Sequence, residues 1–391
     1  MDARELLDHY DQYDPAHVAV MHEVLAYARD ECPVFRTSAE PGYWVVSRYG
    51  DAKRILFDTA TFSNRNGVTV HGVGEPRPLP AASDPPHHKQ YRDILRPYFT
   101  RQAIERYEPE VRKLARQLME PWLATGRVEF VTEYAAKLAY ASLFAVFLQA
   151  GDAEDIDTFV EAADRIVQES SQDAYGHLMG LVRGLLERRR ASGAQFDDMI
   201  GAVENGRLRD RPLTEDEKVG MIFSAVAAGF ETNYATMASI MHLVTRHPEL
   251  ESRIQGAGWA DRHLAEFLRY VSPVTGLIRT ATEDVEVGGA AVKAGDTVLV
   301  HYASVDRDAE QYPDPDTLDF TRTNSGTHMA FSYGVHRCLG APFAEFLVGV
   351  GIEELTRRAT RFRLQDAGDP VPYTTGVVCR PERLPLAFDL R

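Results

Sequence analysis

The chain has 391 residues, 44% hydrophobic and 26% charged, with a formal net charge of −15. That balance describes a globular protein with a substantial core, and the acidity argues against nucleic acid as a general partner, because phosphate binding needs a basic surface. Three cysteines far apart, Cys32, Cys338 and Cys379, form neither a CxxC pair nor a disulfide framework and suit a reducing cytoplasm. The start, Met1-Asp2-Ala3-Arg4-Glu5, lacks the pattern of a secretion signal. Up to residue 64, strand-like runs such as Tyr43-Trp44-Val45-Val46 stand beside a short helix over 51–57. Residues 66–82 carry three Gly and three Pro with no sustained period and read as a long loop. From 84 to about 247 the spacing is helical, with breakers near Gly126, Gly151, Gly193 and Arg211-Pro212. The apolar stretches 135–148 and 221–230 are too short to cross a membrane and read as core helices, so no membrane partner is expected. After Ser272-Pro273, residues 282–300 alternate and turn at Gly288-Gly289, 312–324 form an irregular meander, a helix follows residue 338, and 371–390 read as strands and turns. Nothing divides the chain. A single domain over 1–391 is expected, mainly α with small β-sheets (α+β), helical in 84–270 and β-rich within 1–64 and 272–391.

Four segments carry chemistry. Phe331-Ser332-Tyr333-Gly334-Val335-His336-Arg337-Cys338-Leu339-Gly340 has the form of a loop that offers one thiolate to a haem iron. Thr214-Glu215-Asp216-Glu217 is a capping box, opening a helix with no strong breaker until His247-Pro248, roughly thirty residues or about 45 Å. Within its apolar middle stands Ala227-Ala228-Gly229-Phe230-Glu231-Thr232, a small-residue stretch followed by an acid and an alcohol. Glu266 and Arg269 lie three apart on one helix face, on spacing alone an ordinary surface pair. Asp84-Pro85-Pro86-His87-His88 opens another helix with Asp84 as its expected cap. On it His88 and Arg92 face one way, and His87 is expected to be exposed.

The decamer resembles the haem-binding loop of the cytochromes P450, the haem-thiolate monooxygenases, and the other segments match that family in the expected order. The resemblance implies a triangular, mostly helical fold with a long central helix across a buried haem b (iron protoporphyrin IX). Cys338 would be the only protein ligand to the iron. Phe331 would cover the sulfur side of the ring, and Gly334 and Gly340 would admit backbone N–H groups to the sulfur. His336, His88, Arg92 and Arg279 would hold the two propionates. Ala228 and Gly229 would let the helix pass close to the iron and leave room for dioxygen, Thr232 would break the helical hydrogen-bond pattern and stabilise iron-bound peroxide, and Glu231 would relay protons. Glu266, Arg269 and Arg322 would form a cluster for folding and haem retention. The sequence departs from the family pattern at Asn233 (often Thr), Ser332 (often Gly), Glu345 (usually Arg) and Asp306-Arg307-Asp308-Ala309 (usually Asn-Arg-Asp-Pro).

By the same resemblance, the enzyme would insert one oxygen atom of O2 into a hydrophobic small molecule in the cytoplasm. A separate ferredoxin and ferredoxin reductase would pass it electrons from NAD(P)H, since no flavin or ferredoxin segment is fused. Lys89, Arg92, Arg96 and Arg101 offer either a basic patch that steers such a partner or a merely solvated face. The substrate pocket would draw on Val68, Val70, Val226, Val274, Leu277, Ile278 and Val377, with Asn66, Thr275 and Thr375 orienting a polar end. Oxidative coupling or ring formation is the alternative within the same chemistry, and haem binding or sensing without turnover the alternative outside it. The Glu231–Thr232 pair speaks against a sensor, which needs no proton delivery.

Overall fold

The computed structural model describes residues 3–391 apart from 73, 149–157, 160, 163–164, 167–171, 194–196 and 367–369; the expected breaker at Gly151 lies outside these described residues. Among the described residues, ten strands make three sheets. They are β1 (Val34–Thr37), β2 (Tyr43–Val46), β3 (Phe62–Ser63), β4 (Arg127–Glu129), β5 (Leu277–Ala281), β6 (Val285–Val287), β7 (Ala290–Val292), β8 (Thr297–Val300), β9 (Ala359–Leu364) and β10 (Pro385–Leu390). The largest sheet has the order β1-β2-β8-β5-β3. Within it β2 and β8 run parallel and every other pair is antiparallel. The expected turn at Gly288-Gly289 joins β6 to β7, both glycines having positive φ (54° and 82°), as a two-residue hairpin turn requires. The three residues of β4 pair with β10 at a sheet edge, and so short a run carries no alternation to read from sequence.

Most helices after residue 87 share one large apolar core, while the N-terminal helices pack with the five-stranded sheet in two smaller clusters. Both halves of the capping box form: the Thr214 side chain accepts from the Glu217 N–H at 3.2 Å, and the Glu217 carboxylate accepts from the Thr214 N–H at 2.7 Å. The long helix is not continuous. It runs as Glu215–Gly229 and Glu231–Arg246, with Phe230 between them at φ −111°, ψ −57°. Side chains cause the interruption by taking over carbonyls that the regular helix would pair with N–H groups. The Thr232 hydroxyl donates to the Ala228 carbonyl at 2.9 Å, and the Asn233 amide donates to that of Gly229 at 2.5 Å.

Two details place the roof of the site. The described residues of 66–82 contain no helix or strand, as expected, and the Leu79 N–H fastens the segment to the Gly220 carbonyl at 3.1 Å. Asp84 does not cap the helix His87–Leu95, which has no side-chain cap. Instead its carboxylate accepts from the Ser63 hydroxyl at 2.5 Å and the Asn64 N–H at 2.9 Å, fixing the end of β3. The two prolines after Asp84 carry the chain past capping reach before the helix begins. On the far side, the helix Ala341–Arg358 packs against Glu108–Leu123 and Glu231–Arg246. The Trp259 indole donates to the Gly349 carbonyl at 3.0 Å and the Tyr134 hydroxyl to that of Gly351 at 2.7 Å, anchoring it. Among the described residues no helix is long and apolar enough to cross a membrane.

Candidate active site

Cys338 stands just ahead of the helix Ala341–Arg358, whose first N–H groups have no partner within the helix. Burial pushes the Cys338 thiol above its ordinary value, against the N–H groups of Gly340 and Ala341 at the sulfur and the charges of Arg337 and Arg92. The residue as a whole is nevertheless reached by solvent. The Cys338 N–H donates to the Phe331 carbonyl at 2.8 Å and closes the loop. The Phe331 ring lies 5.5 Å from that of His328 and 5.8 Å from the Arg337 guanidinium.

Two loop residues act differently from expectation. Gly334 has φ +69°, and a Cβ there would lie 2.5 Å from the Leu56 carbonyl oxygen. The turn and the helix Tyr49–Phe57 therefore demand glycine at 334, while the N–H groups at the sulfur come from Gly340 and Ala341. Ser332 sits at φ +58°, a conformation that favours glycine, and the Tyr302 hydroxyl donates to its Oγ at 3.0 Å, holding it there.

The predicted anion-binding groups meet beside this loop. The rings of His88 and His336 are 4.1 Å apart, and the Nε2 atom of each is buried without a hydrogen-bond partner. Burial, then the charges of Arg92 and Arg279, lowers His88 to about 4. Burial, Arg279, His88 and Arg92 lower His336 to about 2. Arg279 is wholly buried on β5, donates to the Ile278 carbonyl at 2.7 Å and has no ion pair among the described residues. Arg92 donates to the Arg337 carbonyl at 2.8 Å. The nearby carboxylate of Asp84 is already committed to Ser63 and Asn64. Two guanidinium groups and two unsatisfied imidazole nitrogens thus converge next to a thiol without a carboxylate to serve them. A dianionic ring that bears an iron completes this donor set, so the residues fit haem. His87 is exposed, as expected.

At the interruption of the central helix, Ala228 is exposed although Val226 and Phe230 on either side are buried. Gly229 faces elsewhere: a Cβ on it would lie 3.2 Å from the Leu143 side chain. The two small residues thus serve different faces, Ala228 an exposed one and Gly229 helix packing, because neighbours on a helix point about 100° apart. Glu231 is buried, and its Oε1 lies 3.3 Å from the Arg380 Nε. It also borders a recess of about 80 Å³ shared with Tyr13, Thr69, His71, Thr375 and Val377.

Glu266, Arg269 and Arg322 form one buried cluster. Arg269 grips Glu266 with two bonds of 2.9 and 2.8 Å and donates to the carbonyls of Asp306, Pro315 and Thr317. Arg322 Nε lies 3.3 Å from Glu266, which also accepts from the Ser325 hydroxyl at 2.7 Å and the Asp319 N–H at 2.9 Å. The supposed surface pair ties the helix Trp259–Val271 to the meander.

The expected pocket is only partly assembled. Val377 borders the recess of Glu231, the Val68 carbonyl accepts from the Ile278 N–H at 2.9 Å, and Val274 bridges Val378. Val70, Val274 and Leu277 are half-buried against neighbouring clusters. Val226 is fully enclosed in the helical core. The Ile278 side chain packs with Tyr10, Leu25 and Leu299, because strand alternation puts it opposite Leu277 and Arg279. The Thr275 hydroxyl is committed to the Gly376 carbonyl at 2.8 Å, and Asn66 is exposed. The basic residues before 102 are largely neutralised, Lys89 and Arg96 by Asp93 and Arg101 by Asp261. Sequence reasoning missed Arg380, which no motif or spacing marks.

Comparison with known proteins agrees with this geometry. The family model described as Cytochrome P450 matches residues 260–388. Cytochrome P450 130 of Mycobacterium tuberculosis is 32% identical over 363 residues, covering 87% of this chain and 88% of that protein. Mycinamicin IV hydroxylase/epoxidase of Micromonospora griseorubida is 28% identical over 371 residues, covering 88% and 89%. The solved structure of a mutant of P450 EryK in complex with erythromycin B has a TM-score of 0.85 at 25% identity, covering 96% of this chain and 97% of that one. With the likeness running through nearly its whole length, the chain belongs to the cytochrome P450 family and is a haem-dependent monooxygenase of small molecules that uses dioxygen and redox partners.

Proposed function

We propose that this chain, as one domain over 1–391, binds haem b and hydroxylates or similarly oxidises a mainly apolar natural product. The observation that carries the reading is the pair of buried, unpartnered Nε2 atoms of His88 and His336 beside Arg92, Arg279 and the Cys338 thiol. Held by Cys338, haem iron supplies dioxygen binding and activation, the thiolate favouring O–O cleavage. His88, His336, Arg92 and Arg279 neutralise the propionates, and Gly340 and Ala341 temper the sulfur through their N–H groups. Thr232 keeps a proton on Oγ1 at the interrupted helix, where that hydroxyl already takes the place of a backbone donor. Glu231 passes protons from the recess bordered by Tyr13 and His71 toward Thr232. Thr375 and Val377 form part of the substrate wall, a polar and an apolar contact side by side.

The relatives favour a tailoring oxidation: one is a mycinamicin IV hydroxylase/epoxidase, another is a cyclomarin C epoxidase from Salinispora arenicola, and EryK was solved with erythromycin B. Electrons come from a ferredoxin and its reductase, with NAD(P)H as ultimate donor. The three free cysteines support a cytoplasmic location.

The test begins with a compound library screened for spin-state shifts in the haem spectrum, followed by turnover of one responding compound. Thr232→Ala is expected to bind haem and substrate normally, to lose product per electron, and to release the missing electrons as hydrogen peroxide. Thr232→Ser should keep most of the coupling. Acid–base assistance of this kind is worth about 10²- to 10⁴-fold in rate. Unchanged coupling in both Thr232→Ala and Glu231→Gln would refute the proton-delivery roles.

A further inference from the structure

Arg380 joins two parts of the molecule that the sequence keeps far apart. Its Nε lies 3.3 Å from Glu231 Oε1, its Nη2 donates to the Tyr234 hydroxyl at 3.1 Å, and its Nη1 donates to the Pro381 carbonyl at 3.0 Å. The guanidinium also lies over the Tyr234 ring, 4.7 Å from its centroid. Arg380 and Glu231 are each about one-tenth exposed (11% and 11%), so this ion pair is largely withdrawn from water.

The chain around Arg380 is a closed loop. The Thr374 N–H donates to the Arg380 carbonyl at 2.8 Å, the Arg380 N–H returns a bond to Thr374 Oγ1 at 3.1 Å, and the Thr374 hydroxyl donates to the Val378 carbonyl at 2.9 Å. Residues 375–378, inside that loop, border the same recess of about 80 Å³ as Glu231. One short, internally bonded unit therefore carries a wall of the recess and a cation for the acid.

We propose that Arg380 is a positioning residue that couples occupancy of the recess to the protonation and orientation of Glu231. The inference rests on the proton-relay reading of Glu231. An apolar molecule settling against residues 375–378 displaces Arg380 relative to Glu231 and so sets when the acid can exchange its proton. Among the described residues, groups that also face Glu231 include Tyr234 on its own helix, Tyr175 on the helix Gln172–Ala191, and Tyr13 and His71 across the recess. Arg380 differs from these in being bonded to the carboxylate and carried by the same closed loop as the wall.

The experiment uses the ferric holoenzyme and infrared difference spectroscopy of the Glu231 carboxyl, assigned by its disappearance in Glu231→Gln. Its protonation midpoint is followed with and without benzene as an apolar probe that neither ligates iron nor titrates. Arg380→Gln should raise the midpoint by about 1–3 pH units, because removing one cation from a buried carboxylate favours its neutral form. It should also abolish the band shift that the probe causes in the unaltered protein. Arg380→Lys, which keeps the charge but not the three-way grip, should hold the midpoint near the original value and still lose most of the probe response. It also answers the question if Arg380→Gln does not fold. A midpoint and probe response in Arg380→Gln like those of the unaltered protein, or no probe response in the unaltered protein, would overturn the coupling. Failure of the relay reading is separate: coupling of electrons to product would then be unchanged in Glu231→Gln whatever the infrared bands do.

Discussion

Asp306 is fully buried, and the family pattern usually has Asn at its position. Its Oδ1 accepts from the Met329 N–H at 2.6 Å and its Oδ2 from the Ser272 hydroxyl at 2.7 Å, so it braces the backbone leading into the cysteine loop. Burial raises its carboxyl from 3.8 to about 7, against the pull of those bonds and of Arg269. Between these two values the folded chain keeps a proton that the unfolded chain has lost. Stability therefore falls as pH rises through that window, and the whole penalty is present above it. Roughly three pH units at 1.36 kcal/mol each give an upper bound of about 4 kcal/mol. That is a large part of the ~5–15 kcal/mol that holds a domain folded. In Asp306→Asn the amide oxygen can keep the Met329 bond, and the amide N–H₂ can donate to Ser272 Oγ. We predict that Asp306→Asn stabilises the haem-loaded protein by up to about 4 kcal/mol at pH 8, with the gain shrinking steadily toward pH 4. Urea unfolding of both proteins across that range measures it, since the difference between them cancels the other titrating groups. A gain independent of pH, or an Asn variant less stable at pH 8, would refute the reasoning.

Two further substitutions test the frame of the site. Glu266→Ala removes the acceptor of Arg269, Arg322, Ser325 and the Asp319 N–H, leaving a wholly buried guanidinium without its carboxylate. A loss of about 3–5 kcal/mol and poor haem retention are expected, read by denaturant midpoint and haem content; a midpoint like that of the unaltered protein would show the cluster to be dispensable. Gly334→Ala puts a side chain at φ +69° and a Cβ 2.5 Å from the Leu56 carbonyl. The conformation alone costs about 1–2 kcal/mol, and the clash displaces the loop, so the thiolate-type spectrum should weaken in proportion to lost haem.

What was legible in the sequence was chemistry confined to short contiguous runs. The loop from Phe331 to Gly340 and the capping box at Thr214 each carry their partners within a few residues, so reading along the chain found them, whereas the Glu266–Arg269 spacing alone read as a surface pair and took its buried role from the family resemblance. What depended on facing was less legible. Ile278 and Leu277 are neighbours with equal hydrophobicity, and only the sheet decides that one packs inward on Tyr10 while its neighbour shares the face of Arg279. The interruption after Gly229 was foreseen only as a hydrogen-bond defect at Thr232. Asn233, taken as a departure from pattern, shares the work by donating to the Gly229 carbonyl. Ser332 likewise departs from glycine, and the compensating hydroxyl comes from Tyr302, thirty residues away. Arg380 was invisible because its partner Glu231 is 149 residues distant, and an isolated arginine in a loop looks like any solvated base.

The central claim is that Cys338 alone holds the iron. It is tested most directly by the spectrum of the reduced carbon monoxide complex in three variants. Cys32→Ala and Cys379→Ala should keep the thiolate-type band at full intensity, since neither thiol belongs to the converging donor set. Cys338→Ser should lose that band, whether or not haem stays bound through His88, His336, Arg92 and Arg279. A thiolate-type band that survives in Cys338→Ser, or that disappears in Cys32→Ala or Cys379→Ala, would contradict the assignment.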